Sequence, residues 1–260
     1  MASAVPPIAE LQAPAAWRTL DFLSDLHLDR AHPRTLSAFA RYLAHTRADA
    51  VFLLGDLFEV WVGDDALHEP GSFEAEVGAR LQDAAARRPL YFLHGNRDFL
   101  VGEVFARTTG VRLLADPTVL VFAGQRWLLS HGDALCLEDV EYQRFRRIAR
   151  DPAWQASLLA QPLAARRAQG HSARRQSEAR KSDPRAIYAD VDTPAALAWL
   201  AAAGSAHLIH GHTHRPAEHV LAPGVTRHVL SDWELDSPPH RADLLRLTPT
   251  GLARIAPEAA

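Results

Sequence analysis

Five short polar motifs each follow an apolar run: Asp25-Leu26-His27, Gly55-Asp56, Gly95-Asn96-Arg97-Asp98, His131-Gly132-Asp133 and Gly211-His212-Thr213-His214. Taken singly, an Asp or His at a strand end is an ordinary turn residue that caps a backbone group. Taken together, the five supply carboxylates, an amide oxygen and imidazoles, the ligands that hard-to-borderline divalent cations take. Turn capping gives no reason for Asp-x-His, Asn and His-x-His to fall in this order. Asp25 and His27, two residues apart, can reach one ion, while His212 and His214 can divide between two. Asp56, on a turn entered through a glycine, is the natural bridging carboxylate. Two cations roughly 3.5–4 Å apart lower the pKa of a shared water and stabilise the attacking and departing oxygens of an in-line displacement at phosphorus. Such chemistry needs no serine or lysine nucleophile.

The elements that must position these motifs are short apolar runs alternating with helix-period segments, the signature of parallel strands joined by helices. We read strands over 17–24, 50–55 and 89–94 and helices over 35–46 and 73–87. Loops at the carboxyl ends of such strands share one crevice. Between Val111 and Ser130 three closely spaced apolar runs read as antiparallel strands. Residues 138–188 read as helical with breaks at Pro152, Pro162 and Gly170, an insertion that interrupts the sheet. A helix over 194–203 and strands over 207–210, 218–221, 226–230 and 243–247 complete the pattern. His94 and His210, beside the motifs, are expected to be structural or to support ligands. Phe58 and Trp61 belong either to the core or to a lipid-lining wall.

A chain of 260 residues with 48% hydrophobic and 23% charged side chains is ordinary globular material, which excludes a disordered or fibrous protein. We expect one domain over 1–260 with a helical cap inserted at about 138–190. No apolar run approaches the roughly 20 residues that span a bilayer, and residues 1–10 lack the basic and apolar regions of a signal peptide. The expectation is a soluble, cytoplasmic chain. The lone cysteine, Cys136, allows no internal disulfide and no cysteine-based zinc site, and reads as a small packed residue. Charge is unevenly spread: residues 144–185 hold eleven basic and three acidic side chains, so this stretch carries +8 on a chain of net −3. Either it meets a local anion (a phosphate-bearing substrate, an anionic membrane surface or nucleic acid), or it is a solvated helical face. Lys181 is the single lysine among 28 basic residues, a position where a flexible point charge could matter.

The order D-x-H, GD, GN[HR]D, H and GHTH resembles that of the calcineurin-like metallophosphoesterases, from Asp25 to His214. The resemblance implies an α/β sandwich of two mixed sheets flanked by helices and holding two metals. Asp25, His27 and His214 would bind the first, Asn96, His131 and His212 the second, with Asp56 shared. Asp98 would orient its neighbours. LSDLHL (23–28), GDLFEVWVGDD (55–65), YFLHGNRDFLVG (91–102), HGDALCLEDVEYQRFR (131–146) and LIHGHTHRPA (208–217) resemble, more narrowly, the UDP-2,3-diacylglucosamine hydrolase family. That resemblance implies cleavage of a nucleotide-sugar pyrophosphate to UMP and 2,3-diacylglucosamine 1-phosphate in the lipid A synthesis of Gram-negative bacteria. It further implies manganese, a peripheral position at the cytoplasmic face of the inner membrane, and a helical insertion that receives acyl chains. Asp56, Asn96, His131 and His212 are then the expected catalytic residues, with water attacking the UMP-side phosphorus. Asn96, Arg97, Asp139 and His212 would contact substrate, together with Ser177 and Lys181 in the insertion. A register using Ser172 and Gln176 competes for the last two.

Two other functions stay open. The same metals could serve a phosphodiesterase, a protein phosphatase or a nuclease. The basic stretch has few interleaved aromatics (Tyr142, Phe145, Trp154, Tyr188), so a nucleic-acid partner is not expected. A scaffold that had lost catalysis should lack ligands, whereas all seven expected positions carry ligating residues. No obligatory protein partner is readable.

Overall fold

A computed structural model describes residues 5–181 and 189–260, the side chains of 178–181 excepted. The first sheet places β2 (Leu20–Leu23), β3 (Ala50–Leu53), β4 (Leu90–Leu93) and β5 (Arg112–Leu114) side by side and parallel. β11 (Leu244–Thr248) runs antiparallel to β2, and β12 (Gly251–Ile255) antiparallel to β11. The second sheet has the order β1 (Ala9–Gln12), β6 (Thr118–Phe122), β7 (Gln125–Leu129), β8 (His207–His210), β10 (Val225–Val229) and β9 (Glu218–Ala222), and is likewise mixed. The sheets pack face to face through Phe22, Phe52 and Tyr91 on one side and Leu120, Trp127, Leu129 and Ile209 on the other. The three rings of the first sheet stack in series, with centroids 5.0 and 4.8 Å apart.

Helices cover both outer faces. α1 (Pro33–His45) and α2 (Phe73–Ala85) bury Phe39, Leu43, Val77 and Leu81 on the first sheet, and α3 (Glu103–Thr109) adds Phe105. α7 (Thr193–Ala203) lays Ala196, Trp199 and Leu200 on Val119, Leu128 and Leu208 of the second. Several helices begin where a side chain takes the orphan amides of the first turn. Ser72 caps α2, Asp192 caps α7, and Asp236 reaches across the chain to the amides of Arg34 and Thr35. Because β2, β3 and β4 are buried on both faces, they read as continuous apolar runs without alternation. Asp21 is the polar exception, and its fully buried carboxylate is satisfied by a two-pronged Arg246 at 2.8 and 2.8 Å and by the hydroxyls of Tyr42 and Thr46.

Two sequence expectations need correction. The run at 111–114 is not the first strand of an antiparallel set, because β5 pairs parallel with β4 in the first sheet. The chain changes sheets at residues 115–117, and only β6 and β7 form the antiparallel hairpin. Gly170 does not break the insertion. After α4 (Val140–Ala149) and α5 (Pro152–Leu159), α6 runs unbroken from Leu163 to Lys181. A Cβ on Gly170 would stand 2.7 Å from Val60 and 3.0 Å from Val62, so the glycine lets the helix lie directly on that loop. Strands β1 and β12 and helix α3, not anticipated from the sequence, are short elements that complete the two sheets and their cover.

Candidate metal centre

The loops after β2, β3, β4, β7 and β8 meet at one edge of the sandwich. Among the described residues, six non-glycine positions adopt the left-handed conformation, and five are candidate ligands: Asp25, His27, Asp56, His212 and His214, with φ between 47° and 67°. That conformation costs a non-glycine residue about 1–2 kcal/mol and persists only where its surroundings enforce it. Here neighbouring loops lock one another: Asp25 N donates to Gly55 O, His27 N to Asp56 O, and Gly211 N to His131 O, each at 3.0 Å. Asp98, fully buried, accepts the amides of Gly95 (2.9 Å), Asp56 (3.2 Å) and Leu57 (2.7 Å), and so holds the second and third loops together.

Two overlapping groups could each hold a cation. Asp25, His27 and His214 bring one ligating atom apiece within 4.8 Å of one another, and so do Asp25, Asp56 and His131. His27 Nε2 and His214 Nε2 face each other at 3.3 Å, with Asp25 Oδ1 3.3 Å from the latter. On their far sides, His27 Nδ1 stands 3.3 Å from Glu59 and His214 Nδ1 3.4 Å from Asp232. A carboxylate behind each imidazole favours the proton on Nδ1, which leaves two Nε2 lone pairs turned inward. His131 Nδ1 likewise donates to Leu54 O (2.9 Å), so its Nε2 lone pair points at the Asn96 amide 3.1 Å away. That amide also lies 2.8 Å from His212 Nδ1. Lone pairs converging on buried carboxylates fit divalent cations with oxygen and nitrogen ligands.

Electrostatics points the same way. Burial would lower His131 and His214, yet neighbouring carboxylates outweigh it and raise each to about 9, Asp56 and Asp25 acting on the first and Asp232 and Asp25 on the second. Burial and the His131 charge press His212 down to about 3. Asp25 titrates well below the carboxylate range despite its burial, because His214, His131 and His27 surround it. Burial and the Asp56 charge lift Asp98 to about 7. The carboxylates of this cluster thus demand positive charge, which protons on imidazole supply and a divalent ion would replace.

The cluster forms one end of a cavity of about 730 Å³. His27, Asp56, Asn96, Arg97, His212 and His214 line its polar end, and Val60, Trp61, Phe99, Phe145, Trp154 and Leu158 an apolar wall supplied largely by α4, α5 and the loop beneath α6. Phe58 and Trp61 are both core residues, and Trp61 also faces the cavity. Arg97 donates its amide to Asp56 Oδ1 (2.8 Å) and places Nε 3.9 Å from Oδ2. Asp139 lines the cavity and also caps α4 through the Tyr142 amide (3.0 Å). Ser177 and Gln176 line the cavity and Ser172 does not, which divides the competing register. The Lys181 side chain lies outside the described residues.

Five of the eight basic side chains described in this stretch are answered within the chain. Arg146 and Arg150 pair with Asp133, Arg166 with Asp65, Arg167 with Glu69 and Glu74, and Arg174 with Glu59. The uneven charge therefore fastens the insertion to the body. His94 and His210 are supports, their ring nitrogens bonded to Val101 O and Gly211 O, and Cys136 is a packed core residue. Glu59, Asp232 and Tyr142, the last tilted against His212 with centroids 5.6 Å apart, were missed by sequence reasoning. Glu59 stood close to Asp56 in a recognised stretch, whereas nothing local marks Asp232.

Comparison with known proteins gives this geometry a family. The calcineurin-like phosphoesterase profile matches residues 18–216. The chain is 47% identical over 225 residues to a UDP-2,3-diacylglucosamine hydrolase of Stenotrophomonas maltophilia (strain R551-3), covering 82% of this chain and 90% of the relative. It is 48% identical over 217 residues to the protein of that name from Chromobacterium violaceum, with the same coverages. Its identity to another from Xanthomonas campestris pv. campestris (strain B100) is 43% over 245 residues, 89% of this chain and 96% of the relative. The chain belongs to the calcineurin-like phosphoesterases and, within them, to the UDP-2,3-diacylglucosamine hydrolase family.

Proposed function

We propose that the chain hydrolyses the pyrophosphate of UDP-2,3-diacylglucosamine to UMP and 2,3-diacylglucosamine 1-phosphate. The observation that carries this is the continuity of the convergent ligand cluster with an apolar-walled cavity: a polar end for a pyrophosphate and a wall for acyl chains. Asp25, His27, Asp56 and His214 would hold one cation and Asp56, Asn96, His131 and His212 a second. Bound there, two divalent ions, in our proposal Mn2+, would supply an activated water and neutralise phosphoryl charge. Asp98 and the interlocked loop amides fix Asp56 at the junction. Arg97, held along Asp56, and His212, facing the cavity, would meet the equatorial oxygens of the reacting phosphoryl group, where charge gathers. Asn96, Asp139, Ser177 and Lys181 would orient the sugar phosphate.

No described helix is long and apolar enough to cross a membrane. Val140, Phe145 and Ile148 of α4 and Leu159 of α5 are exposed apolar residues, with Arg144 and Arg147 between them. Apolar side chains interspersed with arginine suit the surface of an anionic bilayer. They support a peripheral position at the cytoplasmic face of the inner membrane, from which a diacylated substrate can enter the cavity. Hydrolysis in oxygen-18 water with mass spectrometry of both products tests substrate and site of attack together. Label is expected in UMP and absent from the acylated sugar phosphate. Label in the sugar phosphate, or no turnover of this substrate beside good turnover of simple phosphodiesters, overturns the proposal.

A further inference from the structure

His27 and His214 present matching nitrogens to the same point, and each is backed by a carboxylate. What stands behind those carboxylates differs. Asp232 is held by Arg241, which comes from the same loop nine residues on. Glu59 pairs with Arg174, which belongs to α6 of the insertion. Glu59 owes its place to the backbone: Leu28 pairs with Phe58, and Glu59 N donates to Leu28 O at 3.1 Å, which sets residue 59 beside residue 27.

Contacts other than that of Arg174 also seat α6. Arg166, which is buried, pairs with Asp65 and donates to Val62 O, and Arg167 pairs with Glu69 and Glu74. Gly170 lies on Val60 and Val62 between them and Arg174. The Arg174 pair is therefore an addition to a helix already fastened. It also occupies a particular place. His27, Glu59 and Arg174 line both the 730 Å³ cavity and a second cavity of about 750 Å³, which is also bounded by Arg30, His171 and Trp233. A ligand in either cavity bears on the same three side chains.

We propose that Glu59 is a positioning residue for His27, that Arg174 holds Glu59 in that role, and that the insertion is thereby coupled to occupancy of the cation site formed by Asp25, His27 and His214. Carboxylates behind ligating imidazoles fix the ring and its proton, and their loss typically weakens metal binding 10- to 100-fold. The proposal rests on the cation-binding role of these loops and does not depend on which phosphate ester is the substrate.

The test uses the full chain freed of metal and titrated with Mn2+ alone, free ion being followed by electron paramagnetic resonance. Glu59→Gln should weaken one of the two bound ions about tenfold and leave the other within twofold of native. Arg174→Met should act on the same ion, and Arg174→Lys, which keeps the charge, should recover most of its affinity. In a His27→Ala background, where one ion remains, adding Glu59→Gln should change nothing. Equal weakening of both ions, no weakening of either, or further loss in the His27→Ala background would each overturn the proposal. Should His27→Ala fail to fold, the split between the two ions in the single variants still decides. Failure to hydrolyse the diacylated substrate would refute the proposed function and leave this result standing.

Discussion

Replacing Gly95 by alanine should cripple hydrolysis while leaving a folded chain. A Cβ built at Gly95 lies 2.1 Å from Asp56 Oδ1, 2.3 Å from Asp56 N and 2.8 Å from Asp56 Cγ, where ordinary contact begins near 3.4 Å. The Asp56 amide is pinned by Asp98, and its carbonyl by the amide of His27. Relief must therefore come from displacing the Asp56 carboxylate, or the whole third loop, by about 1 Å, a misplacement that can cost on the order of 100-fold in rate. Overpacking of this size costs about 1–3 kcal/mol of stability, which a chain of this length can bear. The assay is release of UMP from UDP-2,3-diacylglucosamine with saturating Mn2+, beside retained metal after dialysis and the thermal midpoint. A fall of about 100-fold with a midpoint only a few degrees lower is expected. A Gly95→Ala enzyme with two ions bound and a rate within threefold of native would refute the placement of Asp56 as the shared carboxylate.

Asp56→Ala should lose orders of magnitude in turnover together with metal content, since it is the carboxylate common to both proposed sites; elemental analysis and the UMP assay read both. Phe145→Asp combined with Trp154→Ala should raise KM for the diacylated substrate at least tenfold while sparing an activated aryl phosphodiester, because the two rings line the wall and not the polar end; equal losses on both substrates would refute that division. Arg246→Met strands the fully buried Asp21 carboxylate and should cost about 3–5 kcal/mol in urea unfolding. His210, lowered to about 4 by burial, stays neutral in the native chain, whereas the unfolded chain protonates near 6.5. Stability should therefore decline as pH falls from 6.5 towards 4, by about 3 kcal/mol from this residue. With chelator present to keep metal out of the comparison, the pH dependence of His210→Gln should be flatter than that of the native chain by that amount.

Much of the candidate site was legible because the ligand chemistry it would need restricts residue type. Asp25, His27, Asp56, Asn96, His131, His212 and His214 stand at strand ends, and each strand announces itself as an apolar run, so order and spacing are written along the chain. The helix starts read at 73 and 194 from apolar spacing fall within one residue of α2 and α7, which the structure shows capped by Ser72 and Asp192. Which sheet a strand joins was not legible. The run at 111–114 carries an apolar pattern that suits either sheet, and only its fit beside β4 decides.

Tertiary structure alone decided what stands behind the candidate ligands and where the charges are answered. Asp232 is 18 residues from His214, and Arg174 is 115 from Glu59, so no local period marks either contact. The basic excess at 144–185 was visible as a sum, but a sum cannot show that Arg166, Arg167 and Arg174 face acids on a loop a hundred residues earlier. Gly170 looked like a helix break because glycine weakens an isolated helix by about 1 kcal/mol relative to alanine. In the folded chain close packing on Val60 and Val62 outweighs that preference. Residue type and spacing are local and are set by the sequence; ion pairing, helix continuity and sheet membership depend on distances between segments, which exist only once the chain has folded.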